Sequence, residues 1–304
     1  MFAQTCKIAA TLLASGFISQ TSDDQNTRSM SLELCILASG SAGNAAILRS
    51  PSGVLLIDAG IGPRTLSQRL DGTGVNLADI SALCLTHLDS DHFSPGWTNT
   101  LCRLEIPVYC HADKVASLAL RCPDLLPLIR PFQDERFSPI EGLKCEPIHF
   151  AHDRLGSHGF VLDGFSYRIG YATDLGRVPS YFFDRFRDLD CIALESNYDP
   201  QMQADSGRPW FLKRRITGGH GHLSNAQAFA AIRKLLDRSR RLPDHIVLLH
   251  RSLECNCPDL VQTLFSSDTR IAPRLTLAQQ HERSDWLRRT QRPPLVGEQL
   301  SLAL

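Results

Sequence analysis

The chain has no excess charge of either sign: 32 Lys and Arg are balanced by 32 Asp and Glu over 304 residues. That removes any general electrostatic attraction to nucleic acid and leaves such contact to a local basic patch. A P-loop is excluded, because the small-residue run Ser39-Gly40-Ser41-Ala42-Gly43-Asn44 is not followed by Gly-Lys-Ser/Thr. The ten cysteines form no CxxC pair, and Cys255-x-Cys257 is too close for ordinary zinc-finger ligation. They read as reduced core residues of a cytoplasmic protein. No internal repeat is visible. The apolar run Ile8 to Ile18 is too short to cross a bilayer, and no membrane association is expected. Only Lys7 supplies a positive charge before it, and no small-residue cleavage site follows, so it makes a poor signal peptide. Residues 1–29 are expected to be a disordered or mis-assigned extension, with export as the alternative.

Hydrophobic residues make up 43% of the chain and charged residues 21%, enough for a sizeable core. A domain pattern runs over residues 30–268, and residues 269–304, rich in Arg and Pro, read as a tail. The domain is organised around Thr86-His87-Leu88-Asp89-Ser90-Asp91-His92. The apolar run Ile80 to Leu85 before it reads as a buried strand, and Ser94-Pro95-Gly96 after it as a helix start or turn. Imidazole and carboxylate suit a borderline divalent ion such as zinc or manganese. Alternate side chains of an extended segment point the same way, so His87, Asp89 and Asp91 can converge, with His92 offset toward a second ion. Two ions about 3.5–4 Å apart can clamp both oxygens of an in-line displacement. The plainer alternative is a polar loop whose charges cap the next helix. Four candidate ligands in six positions, directly after a buried strand, argue against it.

Acidic and imidazole residues recur at other strand ends. Leu32 to Ala38, Ala45 to Leu48 and Gly53 to Ile57 read as strands. The third ends at Asp58, which suits either a helix cap or a partner that orients a ligating imidazole. Pro63 to Leu70 reads as a short helix, and Pro107 to Cys110 as a strand ending at His111, a lone histidine given no role. Leu118 to Phe137, with three prolines and no clear period, reads as surface structure. His149 and His152 cannot both enter one site from an extended strand. His152, where the strand gives way to the polar turn Asp153 to His158, is the favoured ligand. Gly159 to Leu162 and Tyr167 to Gly170 read as a hairpin that leads to Asp174, and Cys191 to Leu194 as a strand leading into Glu195. Trp210 to Arg215, with Lys213-Arg214-Arg215 adjacent, reads as a solvated helix face in preference to a nucleic-acid contact, although it is the local basic patch on which such contact would depend. Ser224 or Asn225 caps a helix with the apolar stripe Ala226, Phe229, Ala230, Ile232, Leu235 and Leu236. Ile246 to Leu249 reads as a strand ending at His250, and Leu260 to Phe265 as the last helix. Strands that end in Asp or His and alternate with helices argue for an α/β layered fold with an active site along one sheet edge.

In order and spacing these motifs resemble the metallo-β-lactamase superfamily over Met30 to Phe265, and more narrowly its YycJ/WalJ-type branch. The matching stretches are Ser39 to Asn44, Glu195-Ser196-Asn197-Tyr198-Asp199, Gly221-His222-Leu223-Ser224-Asn225, and His250 with Ser252, Glu254 and Asn256. The resemblance implies a four-layer αβ/βα sandwich. It also implies a site with two divalent metal ions (Zn, Mn or Fe). His87, Asp89 and His152 would hold the first, and Asp91, His92 and His250 the second. Asp174 would bridge them, and Asp58 would support the loop from behind. His222 matches the His-x-Ser/Thr element of the phosphodiesterase branches, where that histidine protonates the leaving oxygen. The loop departs from the usual His-x-His-x-Asp-His by carrying Asp89 at the second His. A carboxylate there favours manganese or iron over zinc, or weakens the first site. Near Cys255 the usual pair of Asn residues is also altered.

The expected activity is hydrolysis of a phosphodiester or nucleic-acid substrate by a metal-activated hydroxide, with Asp91 in the catalytic centre and His222 as proton donor. One alternative is a hydrolase of small esters, lactones or thioesters on the same metals, which would not need His222. The other is a degenerate binding member in which Asp89 has compromised the first site.

Overall fold

The computed structural model describes residues 31–290. The first sheet contains β1 (Glu33–Ala38), β2 (Ala45–Ser50), β3 (Gly53–Ile57), β4 (Ile80–Cys84), β5 (Val108–His111) and β6 (Ile129–Phe132) in sequence order. The second contains β7 (Phe137–Ile140), β8 (Leu143–Phe150), β9 (Ser157–Gly164), β10 (Tyr167–Ala172), β11 (Cys191–Glu195), β12 (His245–Leu249) and β13 (Leu275–Leu277). β14 (Leu287–Arg288) returns to the first sheet and pairs antiparallel with β1. Each sheet starts as antiparallel hairpins and continues as a parallel run, β3 to β6 in one and β10 to β13 in the other.

Alternation along β1 shows why the sheets stack. Cys35 and Leu37 join one apolar cluster, while Leu34 and Ile36 join another on the opposite face. A strand buried on both faces needs a layer on each side. Between the sheets, Ile36, Ile57 and Cys84 meet Phe160, Tyr171 and Val247. Outside the first sheet lie α1 (Pro63–Leu70), α2 (Thr98–Arg103) and α3 (Val115–Arg121), which contribute Leu66, Leu101 and Leu118 to its outer cluster. In the second half of the chain come α4 (Phe182–Arg185), α5 (Pro200–Asp205), α6 (Trp210–Thr217), α7 (Asn225–Arg238) and α8 (Pro258–Ser266). Of these, α4, α7 and α8 cover the second sheet with Phe182, Ile232, Leu235 and Phe265. The result is a four-layer αβ/βα sandwich. Among the described residues no helix is long and apolar enough to cross a membrane.

Several local expectations change. The stretch Leu118 to Phe137 contains a strand, β6, at the sheet's edge. Only its first and last residues, Ile129 and Phe132, are buried, and Pro131 is tolerated because an edge strand need not donate on both sides. Residues beyond 268 are not all tail: β13 and β14 each add a strand to an edge of a sheet. The buried stripe of α7 is Ala228, Ala231, Ile232, Leu235 and Leu236, so Ala226 and Ala230 face away from the core. Ser224 caps that helix in a reciprocal capping box with Gln227. The expectation for residues 1–29 lies outside the described residues.

Candidate metal centre

The site forms where the ends of β3, β4, β8, β10, β11 and β12 meet. Three of its residues turn the chain sharply just beyond a strand: Asp58, Asp174 and His250 have φ of 58°, 56° and 54°. That left-handed conformation is uncommon for residues other than glycine. It re-aims each side chain toward the centre instead of letting the strand alternation continue.

The loop after β4 is not extended. The backbone amides of His92 and Phe93 both donate to the Asp89 carbonyl, at 2.8 Å each. This coil separates Asp91 from His87 and Asp89, which simple alternation brings together. The donor atoms of His87, Asp89 and His152 lie within 4.8 Å of one another, and so do those of Asp91, His92 and His250. Asp174 forms a similar group with His87 and His92, so its carboxylate faces both sets. Its Oδ2 is 2.9 Å from His92 Nε2, and its Oδ1 is 3.8 Å from His152 Nε2.

The imidazoles are fixed from behind. Asp58 Oδ1 accepts the Thr86 amide at 2.8 Å, and Oδ2 lies 2.7 Å from His92 Nδ1. The capping role open to Asp58 is therefore not the one it plays. Thr86 Oγ1 sits 3.0 Å from His87 Nδ1, and His152 Nδ1 donates to the Gly221 carbonyl at 2.9 Å. In all three rings Nδ1 is engaged and Nε2 is turned toward the centre, the arrangement that second partners give to ligating histidines. His87 Nε2 is buried and has no hydrogen-bond partner among the described residues. An orphaned buried nitrogen costs free energy unless something else binds it. With carboxylates converging on the same space, the donor set fits divalent metal ions.

The charges point the same way. Burial and the neighbouring His92 hold His87 well below the ordinary imidazole range. Burial also acts against protonation of His92, but Asp174 and Asp58 outweigh it and raise that ring well above its ordinary value. Against the same burial, Asp174 and Asp91 raise His250 to about 10. His152, opposed by burial and supported by Asp89, is raised to about 9. Asp174 stays well below the carboxylate range despite burial, held by His250 and His92. Ligation needs lone pairs on these rings, so a bound metal ion would displace any protons they carry.

His222 lies at the wall of the centre, one-fifth exposed, with Nδ1 2.6 Å from Glu195 Oε1 and 3.4 Å from Asp174 Oδ1. The wholly buried Glu195 uses Oε2 to accept the amides of Leu175 and Leu223 at 2.9 and 3.1 Å. No role was read for Glu195 from the sequence, although it carries the signal that marked Asp58 and Asp174, an acid at a strand end. Asn256 is buried and donates to the carbonyls of Ser196 and Asn197, so it braces the loop after β11. A cleft of about 410 Å³ opens over these residues, bordered by Ser41, Arg208, Arg215, Ser252 and Glu254.

A four-layer sandwich with a histidine–aspartate centre along one edge defines the class, a metallo-hydrolase. The chain belongs to the beta-lactamase superfamily, whose domain pattern matches residues 54–246. It is 27% identical over 237 residues to the exodeoxyribonuclease YycJ of Bacillus anthracis, covering 77% of this chain and 87% of that protein. It is 28% identical over 233 residues to the exodeoxyribonuclease WalJ of Streptococcus pneumoniae serotype 2, covering 74% and 83%. Among solved structures, a diphosphatase of the PhnP family superposes with a TM-score of 0.61 at 15% identity, over 86% of this chain and 98% of that one. Zinc-bound PqqB of Methylobacterium extorquens does so at 0.60 and 17%, over 83% and 99%.

Proposed function

We propose that this metallo-hydrolase cleaves phosphodiesters and acts as a nuclease on DNA. The observation that carries the reading is His222: a partly exposed imidazole beside Asp174, anchored through Nδ1 to a buried carboxylate. A lactone or thioester can be opened without a proton donor of this kind. An alkoxide leaving from phosphorus gains from one. The names of the curated relatives support the same chemistry.

In this reading His87, Asp89 and His152 would hold one divalent ion and Asp91, His92 and His250 a second, with the Asp174 carboxylate facing both sets. When bound, the ions supply an activated water and offset charge on the phosphoryl oxygens. Asp89 in place of the usual histidine makes manganese or iron the favoured occupant of the first position. Glu195 anchors His222 through Nδ1 and leaves the far nitrogen, Nε2, to pass a proton to the departing oxygen. Arg208 and Arg215 at the cleft edge meet the charge of the substrate backbone. Among the described residues nine cysteines are free, which fits a reducing compartment such as the cytoplasm.

The test is hydrolysis of a labelled single-stranded DNA, a matching RNA and bis(p-nitrophenyl) phosphate by protein loaded with manganese or zinc, beside the His222→Ala variant. Metal-dependent DNA cleavage that collapses in the variant is expected. Turnover of a lactone or thioester, with no diester cleaved, would overturn the reading.

A further inference from the structure

Two aromatic side chains on the exposed, outward face of a helix beside the cleft have no part in the chemistry above. Helix α6 borders the cleft with Leu212, Arg215 and Ile216. At about 100° per residue these three share one side of the helix. Phe211 then falls at the edge of that side, next to Arg215 four residues on, and Trp210 falls one step further round, next to Arg214. Both rings stand in solvent, Trp210 at 69% and Phe211 at 64% exposure. The other tryptophans behave differently: Trp97 is buried, and Trp286 packs against the core under Arg49. The Arg214 guanidinium lies 5.8 Å from the centre of the Trp210 ring. Arg215 is paired with Asp153 and Arg208 with Glu254, while among the described residues Arg214 pairs with no carboxylate.

We propose that Phe211 and Trp210 form a stacking platform for unpaired bases of single-stranded DNA as it enters the cleft, with Arg214 and Arg215 facing the backbone phosphates. The proposal rests on the nuclease reading and extends it to the strand beside the cleaved bond. Exposed rings interleaved with cations are how sequence-tolerant proteins hold a single strand, since every base has a face to stack and every linkage a charge. The helix surface read from the sequence as a solvated face in preference to a nucleic-acid contact thus becomes the local basic patch that a neutral chain requires. A second copy of the chain is the poorer occupant, because a symmetric contact here would set Lys213, Arg214 and Arg215 against their own copies.

The experiment uses the metal-loaded full chain with a labelled phosphorothioate oligothymidylate, which resists cleavage, and reads fluorescence anisotropy. Phe211→Ala and Trp210→Ala are each expected to weaken binding by about 5- to 150-fold, the range of base–aromatic stacking. Trp210→Phe should keep most of the affinity. An abasic oligomer of the same length should bind weakly and equally to all forms. Turnover of bis(p-nitrophenyl) phosphate should be unchanged in these variants. Equal affinity of wild type and both alanine variants for oligothymidylate overturns the platform. So does a change of oligomeric state in the double variant, which would make the patch a contact between copies. Failure of the nuclease reading shows separately, as ring-dependent DNA binding without diester hydrolysis.

Discussion

Asp58 Oδ2 lies 2.7 Å from His92 Nδ1, and neither side chain has any exposed surface. The same carboxylate holds the amide and hydroxyl of Thr86, whose oxygen touches His87. One buried acid therefore sets two imidazoles and the loop between them. Asp58→Asn keeps the shape and removes the charge that orients His92. Metal affinity is expected to fall about 10- to 100-fold, the usual effect of losing such a partner. Metal content after dialysis against graded chelator measures it, with circular dichroism to show that the variant is folded. Wild-type retention would mean that the loop holds its geometry without Asp58.

His222 and Glu195 form the second test. His222→Ala should lower kcat on DNA by about 10²- to 10⁴-fold and leave the bound metal unchanged. Loss on a p-nitrophenyl diester should be smaller, because p-nitrophenolate leaves without needing a proton. Glu195→Gln acts through the histidine, because it weakens the 2.6 Å contact that fixes Nδ1, so kcat on DNA should fall more than kcat on the p-nitrophenyl diester while KM and bound metal stay nearly unchanged. Equal losses on both substrates would argue against proton donation.

Asp89 is the departure that can be reversed. Its Oδ2 stands 3.8 Å from the Nε2 atoms of both His87 and His152, and nearly half of the side chain is exposed. Asp89→His is expected to raise the ratio of zinc to manganese bound after exposure to equal concentrations of both. Mass spectrometry of the metals gives that ratio directly. An unchanged ratio would remove Asp89 from the ligand set.

Away from the centre, His158 stacks on His111 with ring centres 4.3 Å apart, and neither of its nitrogens has a hydrogen-bond partner among the described residues. Burial and the nearby Lys114 push it down to about 3. The folded protein keeps this ring neutral, while the unfolded chain protonates it below about pH 6.5. Stability is therefore full above that pH and falls as pH drops toward the folded value, by about 1.4 kcal/mol per pH unit at most. His158→Phe, beside Phe132, removes the titrating group. The variant should lose less stability than wild type as pH is lowered from neutral, read as the urea midpoint. Parallel curves would sink this assignment.

Much of this architecture was legible because of where its signals fall. Runs such as Leu34 to Ala38 are apolar on both faces, and only a strand inside a sandwich satisfies that. Acids and histidines at the ends of such runs marked most of the centre. Strands β6, β13 and β14 escaped because each has two to four residues and bears at most two buried side chains, too few for a period to emerge. Grouping Asp91 with His87 failed for a local reason: the Asp89 carbonyl takes two backbone amides and curls the loop. Glu195 went without a role because its partner, His222, is 27 residues further along the chain.

The turns at Asp58, Asp174 and His250 are positions where glycine would be the easier residue. Holding a larger side chain in such a conformation costs on the order of 1–3 kcal/mol. Folding and chemistry therefore pull these three positions in opposite directions. Selection for sturdiness alone would erode the centre before it touched the sandwich. A lineage that stopped using the reaction would lose the reason to hold these corners strained, except at Asp58, which also satisfies the buried amide and hydroxyl of Thr86.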